Sequence, residues 1–339
     1  MGDTSLSPRS VGYSRPHSNK GPRNERKEGA PISARPAADR DAQATTRPAS
    51  GRGGLLARRP LTSFFVLAYA FSWLGWSPWY LSEAGVGLLP YDGGKFSLFV
   101  NIAALVLGPT LSAFVVTGAI EGREGLRRLL GRIVLWRAGF RWYLIVLLGT
   151  PALVVLCTLG MPGALASFQA EAVPKVLFLY VVAGLFFLFA GGPFFEEIGW
   201  RGFALPRLQQ LYGPLVGSLV LGVLWGLWHL PLFLIPSWDT PHGSVLDVAL
   251  FVVLALALTV VLTWVFNNTK GSVLVVILAH GSLNISAVAM YDLFPAPSVT
   301  EGITNVVVGF GVAAVVVVVL TRGRLGYRNY LQQEDRGSA

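Results

Sequence analysis

Two adjacent carboxylates, Glu196 and Glu197, lie in FLFAGGPFFEEIGWRGFALP, and Arg201 follows four residues later in a stretch that is otherwise apolar. Ionisable groups in such a setting are costly and mark functional candidates. At i and i+4, Glu197 and Arg201 share a helix face and can pair. That pairing lowers the cost of burial and leaves Glu196, about 100° round the helix, free for other work. With a helix ending near Arg207, Glu196 is eleven residues inside, ~16 Å deep at the helical rise. The Gly191-Gly192-Pro193 run just before it is a point where the backbone can open or admit water. Two further apolar runs carry histidine: His229 in LGVLWGLWHLPLF and His280 in VLVVILAHGSLNIS, with Asn284 one turn later. His280 and Asn284 point the same way. His280 is eight residues past Ser272 and His229 fifteen past Pro214. A carboxylate, two imidazoles and an amide therefore converge in depth on three helices.

A carboxylate raised in basicity by burial takes a proton from water while an imidazole orients that water. A second imidazole and an amide donate hydrogen bonds to the oxyanion formed when water attacks a carbonyl. This set suffices for peptide hydrolysis without a cofactor. The alternative is zinc or another divalent metal, with Glu196, His229 and His280 as ligands and a bound water as nucleophile. No H-E-x-x-H pair is present, so the helical zinc-protease motif is missing. Each group also has a structural reading, since a lone intramembrane His or Asn often serves as interhelical glue. Four polar groups at one depth, in spans with few others, favour a site.

In order along the chain stand E-E-x-x-x-R (Glu196, Glu197, Arg201), an aromatic-x-x-x-H (Trp225 to His229) and H-x-x-x-N (His280 to Asn284). The combination resembles the CPBP family of intramembrane proteases, which includes the type II CAAX prenyl endopeptidases and the Abi relatives. The resemblance covers roughly residues 175–290. One departure is visible: the second motif usually begins with Phe, and Trp225 stands there. The resemblance implies that Glu196 activates water with help from His229. It implies an oxyanion hole of His280 and Asn284, and a brace of Glu197 with Arg201. The family is commonly labelled metalloprotease, while its best-understood members look like glutamate proteases, so the metal-free mechanism is the expectation.

These residues need helices that cross a membrane, and the composition supplies them. Of 339 residues only 13% are charged, against ~25% in soluble domains. The first 60 residues hold 12 Lys/Arg and 5 Asp/Glu, which leaves 28 of the chain's 45 charges for the other 279 residues. A soluble fold cannot cover its surface with so few. The expected fold is all-α, a polytopic membrane protein of about eight transmembrane helices. A span takes roughly 17–25 apolar residues, and eight runs qualify: about 61–82, 97–120, 142–166, 176–204, 214–236, 245–266, 272–290 and 303–321. Residues 1–59, rich in Ser, Arg, Pro, Ala and Gly, form a disordered basic tail. They are not a signal peptide, because no apolar run follows the charges until Leu61. Residues 60–322 make the transmembrane domain, and 323–339 a C-terminal tail.

Loop charge sets the orientation. The tails, the 121–141 loop, the 205–213 region and Lys270 hold nearly all the basic residues. The alternate loops contain only Lys95 and Lys175 beside Glu83, Asp92, Glu171, Asp239, Asp292 and Glu301. Cytoplasmic loops collect Lys and Arg, so the expectation is a multi-pass cell-membrane protein with both termini cytoplasmic. The segment EGREGLRRLLGRIVLWRAGFR spaces Leu126, Leu129, Leu130, Ile133 and Val134 for a short helix in the membrane interface. The net charge of +9 follows one side of the membrane, which argues against nucleic acid. The expected partners are membrane lipid and a peptide or protein substrate. Cys157, the single cysteine, excludes an internal disulfide and suits a buried thiol. His17 and His242 look like surface residues. A competing class is a transporter or non-catalytic scaffold using the polar cluster for ion binding or packing. No inverted repeat or paired broken helices support transport.

Overall fold

The computed structural model describes residues 54–238, 244–295 and 299–337. The expected disorder of residues 1–53, and the expectations for His17, Asp239 and His242, lie outside the described residues. The helices run in order α1 Gly54–Arg58, α2 Pro60–Tyr80, α3 Ser97–Leu105, α4 Leu111–Ile133, α5 Phe140–Leu144, α6 Thr150–Leu159, α7 Val173–Ala190, α8 Pro193–Gly199, α9 Leu205–Trp228, α10 Val245–Asn268, α11 Val273–Leu293, α12 Val299–Thr321 and α13 Tyr327–Gly337. Among the described residues there is no strand, only an isolated bridge between Ser82 and Leu89. The protein is an all-α, multi-span membrane protein.

Among the described residues, seven helical stretches are long and apolar enough to cross a bilayer. Some join two of the helices above through a π-turn: α3 to α4 through Val106–Thr110, α5 to α6 through Ile145–Gly149, and α8 to α9 through Trp200–Ala204. The expected first span corresponds to α2. Its 21 residues reach across a bilayer, but its Trp, Tyr and Ser content dilutes its hydropathy, and it is not among the seven. The expected 142–166 span ends earlier, at Leu159, where Gly160 caps it and Gly163 turns at φ 76°. Residues 54–58, expected within the tail, form α1. The expected C-terminal tail contains α13, whose buried Tyr330 packs on Phe266.

The 176–204 span is not one regular helix. Its path breaks between α7 and α8 at Gly191 and Gly192, where Gly192 takes φ 97°. Helix α11 lies antiparallel along both halves. Lys175 Nζ pairs with Asp292 at 2.9 Å, Tyr180 shares a 2.6 Å hydrogen bond with Ser282, and His280 reaches Glu197. Helix α11 opens on Ser272, whose hydroxyl accepts from the Val275 N–H and donates to the Leu135 carbonyl. Helix α10 opens with a capping box of Ser244 and Asp247, which satisfies donors the first turn leaves free.

Helix α9 turns at Gly213, and its longer arm packs closely on α10. Gly222 and Gly226 make this possible. A Cβ on Gly222 would stand 2.7 Å from the Leu256 Cα, and one on Gly226 3.1 Å from the Val252 Cα. Small residues four apart let two backbones approach in a membrane, where dispersion rather than hydrophobicity holds helices together. The opposite side of α9 is held by α2, whose Tyr69 hydroxyl donates to the Leu224 carbonyl and whose Trp73 indole donates to the Trp228 carbonyl.

Candidate active site

The break at Gly192 starts a new helix inside the protein, and Pro193 opens it without needing a hydrogen-bond partner for an N–H. Side chains donate to three carbonyls around the break. Asn101 donates to Ala190 at 3.1 Å, Asn284 to Gly191 at 3.5 Å, and Thr110 to Phe195 at 2.6 Å. Glu196 stands one turn into the new helix, and its carboxylate folds back over Gly192. A Cβ built on Gly192 would overlap Glu196 Oε1. Only glycine leaves room for the carboxylate and also adopts this backbone angle at no steric cost.

Glu196 is buried, and its Oε2 accepts the Trp225 indole N–H at 2.7 Å. His229 Nε2 lies 3.9 Å from the same oxygen. His229 Nδ1 is 2.8 Å from the Trp225 carbonyl. A carbonyl only accepts, so Nδ1 carries the proton, and in the neutral ring Nε2 is an acceptor facing Glu196. The His229 ring is walled by aromatic side chains: Trp228 and Phe251 edge-on at 4.7 and 4.9 Å, and Trp238 stacked at 6.0 Å.

The second carboxylate belongs to a separate network. Glu197 and Arg201 are both 0% exposed. Arg201 Nη1 donates to Glu197 Oε1 at 2.8 Å and Nη2 to Thr259 Oγ1 at 3.1 Å, and the guanidinium lies 4.5 Å from the centre of the Trp225 ring. His280 Nδ1 donates to the same Glu197 oxygen at 2.9 Å. The His280 ring meets the Trp225 ring edge-on at 5.2 Å. Trp225 therefore stands between the two carboxylates, donating to one and covering the cation that pairs with the other.

The structure brings Glu196, Trp225 and His229 together, and separately Glu197, Arg201 and His280. Asn284, half-buried, turns its amide to the helix break beside Glu196. Sequence reasoning missed Gly192 as the seat of the carboxylate, Thr259 as a partner of Arg201, and the Phe251 and Trp238 walls. A cue existed for Thr259, which with Thr263 interrupts the apolar run VVLALALTVVLTWVF of α10. Among the described residues no group of three His, Cys, Asp or Glu side chains stands placed to hold a metal ion.

Residues 177–286, from α7 into α11, match a family described as type II CAAX prenyl endopeptidase Rce1-like. The chain is also similar to the CAAX prenyl protease 2 of Methanococcus maripaludis, 28% identical over 156 residues, which covers 42% of this chain. The match takes in 54% of that relative, so the chain spans about half the length of the curated protein it matches. Both findings agree with the resemblance read from the sequence, and the family match lies on the helices that carry the polar cluster.

Proposed function

We propose that this chain is an intramembrane endopeptidase, similar to CAAX prenyl protease 2, that hydrolyses a peptide bond of a peptide or membrane-associated protein without a metal. The observation that carries this reading is the 3.9 Å pairing of Glu196 Oε2 with the acceptor face of His229, both buried. Water held between these two atoms loses a proton to the carboxylate as it attacks the scissile carbonyl. The electron pair moves to the carbonyl oxygen, which Asn284 meets through its amide N–H groups. With its Nδ1–H given to Glu197, His280 can donate to the same oxygen through Nε2 only as an imidazolium, and Glu197 is then the counter-charge beside it. Collapse of the intermediate returns the proton held by Glu196 to the leaving amine. Arg201 braces Glu197 and stays out of the reaction. Both termini are proposed to be cytoplasmic.

The test is cleavage by the full-length protein in nanodiscs with a membrane-peptide library, comparing wild type with Glu196→Gln and Asn284→Ala. Glu196→Gln keeps volume but accepts no proton, and turnover should vanish. Asn284→Ala removes an oxyanion donor, for which a loss of about 100–1000-fold is typical. Chelators should leave the wild-type rate unchanged. Full activity of Glu196→Gln would sink the mechanism, and loss with chelators restored by metal would replace it with a metal-dependent one.

A further inference from the structure

The 121–141 segment is more than a connection between spans. Gly122 bends the chain (φ 61°, ψ −151°), and the residues after it up to Ile133 form a separate helical arm at the end of α4. This arm is seated on the elements that carry the site. Buried Leu129 stands 2.8 Å from where a Gly202 Cβ would be, and Arg132 donates to the Gly202 carbonyl, one residue after Arg201. Leu135 accepts from Ser272 at the start of α11, the helix of His280. The underside of the segment is thereby fixed to the protein.

Its outer side is basic and aromatic. Arg123, Arg127, Arg128, Arg137 and Arg141 are exposed. Against them stand two acids. Glu121 is engaged by Arg128 and Arg207, and Glu124 makes only long contacts of 3.8 and 3.7 Å with Arg127 and Arg128. The five exposed arginines against two glutamates give this outer side a formal net charge of +3. Among the arginines, Trp136 is 62% and Phe140 76% exposed. Arg137 lies 5.1 Å over the Trp136 ring and Arg141 5.7 Å over the Trp142 ring. Aromatic rings beside cations at the end of a span are the arrangement suited to a lipid headgroup layer.

We propose that this surface is a binding site for anionic phospholipid headgroups, with Arg123, Arg127 and Arg137 as the phosphate-facing cations and Trp136 and Phe140 entering the acyl boundary. Charge complementarity selects the occupant, because a zwitterionic headgroup offers no net charge to answer a positive surface. The chain's own residues 1–53 carry 10 Lys/Arg against 5 Asp/Glu and have the wrong sign to cover it. The inference is independent of the proteolytic reading, since its test measures bound lipid.

Full-length protein in a neutral detergent is titrated with short-chain phosphatidylglycerol or phosphatidylcholine, and bound lipid is counted by native mass spectrometry. One cation beside an anionic surface is worth about a fivefold gain in partition. Wild type should prefer phosphatidylglycerol at least tenfold, with the preference falling as salt rises. The Arg123→Gln/Arg127→Gln/Arg137→Gln variant, altered only at exposed side chains, should lose that preference. Lys95→Gln, an exposed cation in a different loop, should keep it. Equal binding of the two lipids by wild type overturns the proposal, as does a triple variant that keeps the preference. A triple variant with unchanged lipid binding but a raised KM for an acidic peptide would also overturn it and assign the surface to substrate.

Discussion

Arg201→Met isolates the energetics of the buried network. In the wild type the guanidinium is fully buried, donates to Glu197 at 2.8 Å and to Thr259 at 3.1 Å, and lies over Trp225. Methionine fills most of the stem volume but leaves Glu197 with His280 Nδ1 as its remaining partner, and Glu197 Oε2 has none even before the change. Breaking a buried pair from one side costs ~3–5 kcal/mol, because the remaining charge is stranded. The His280 bond places the expectation near ~3 kcal/mol, at the lower end of that range. Adding Glu197→Gln removes the stranded charge, and replacing both partners of a buried pair is far milder than removing one. The two changes should therefore couple by ~2 kcal/mol or more in a double-mutant cycle. Arg127→Met is the control, an exposed pair at 3.8 Å, worth ~0–1 kcal/mol. Reversible unfolding of the four variants in mixed micelles gives the cycle. The reasoning fails if Arg201→Met unfolds like Arg127→Met, or if the double variant shows the plain sum of the two losses.

Three further outcomes follow from the same geometry. Gly192→Ala puts a methyl group where Glu196 Oε1 lies and strains a φ of 97°, so cleavage should fall as far as in Glu196→Gln while the protein still inserts; normal kcat/KM would show that the carboxylate works from another position. Trp225→Phe keeps the ring beneath Arg201 and removes the N–H that Glu196 accepts. A hydrogen bond to a charged group is worth ~1.5–3 kcal/mol, which corresponds to roughly 10–150-fold in kcat/KM, and Trp225→Ala should lose more, which steady-state kinetics on both variants will resolve. Reporter fusions after Ala339 and within 121–141 should both read cytoplasmic, from the basic bias of those segments, and an outward C-terminus would overturn the orientation.

What could be read from the chain depended on distance along it. The Glu197–Arg201 contact is an i,i+4 relation, and the bond at 2.8 Å is what helical spacing alone anticipates. The shared direction of His280 and Asn284 is local in the same way, and both turn toward the broken α7–α8 path. The Gly191-Gly192-Pro193 signal likewise marked the break. Thr259 stood out as a polar break in α10, but its pairing with Arg201 across 58 residues could not be read, because nothing in α10 says which of its faces will meet the guanidinium. The docking of Tyr330 was missed for a related reason, whereas the bends at Gly122 and Gly213 fall at the expected span limits near 120 and 214. Hydropathy gives the run of a span but not where the chain turns along the surface after leaving it.

The polar groups gather where the helices are irregular, and this links fold to chemistry. In a bilayer every freed backbone group needs a partner within the protein, so each interruption draws in a polar side chain. Asn101, Thr110 and Asn284 answer carbonyls around the α7–α8 break. The π-turns at Val106–Thr110 and Trp200–Ala204 flank the same region, and π-turns often accompany functional sites. Gly199 lies against Pro109 at 2.6 Å from a built Cβ, which holds the two distorted stretches together. A regular helix through residues 176–204 would bury Glu196 among its own turns with no unpaired backbone nearby. The break instead gives the carboxylate a polar neighbourhood inside an apolar bundle, fixed by helix packing rather than by a loop. The distortion that costs helix stability is therefore the feature that gathers polar side chains at that depth.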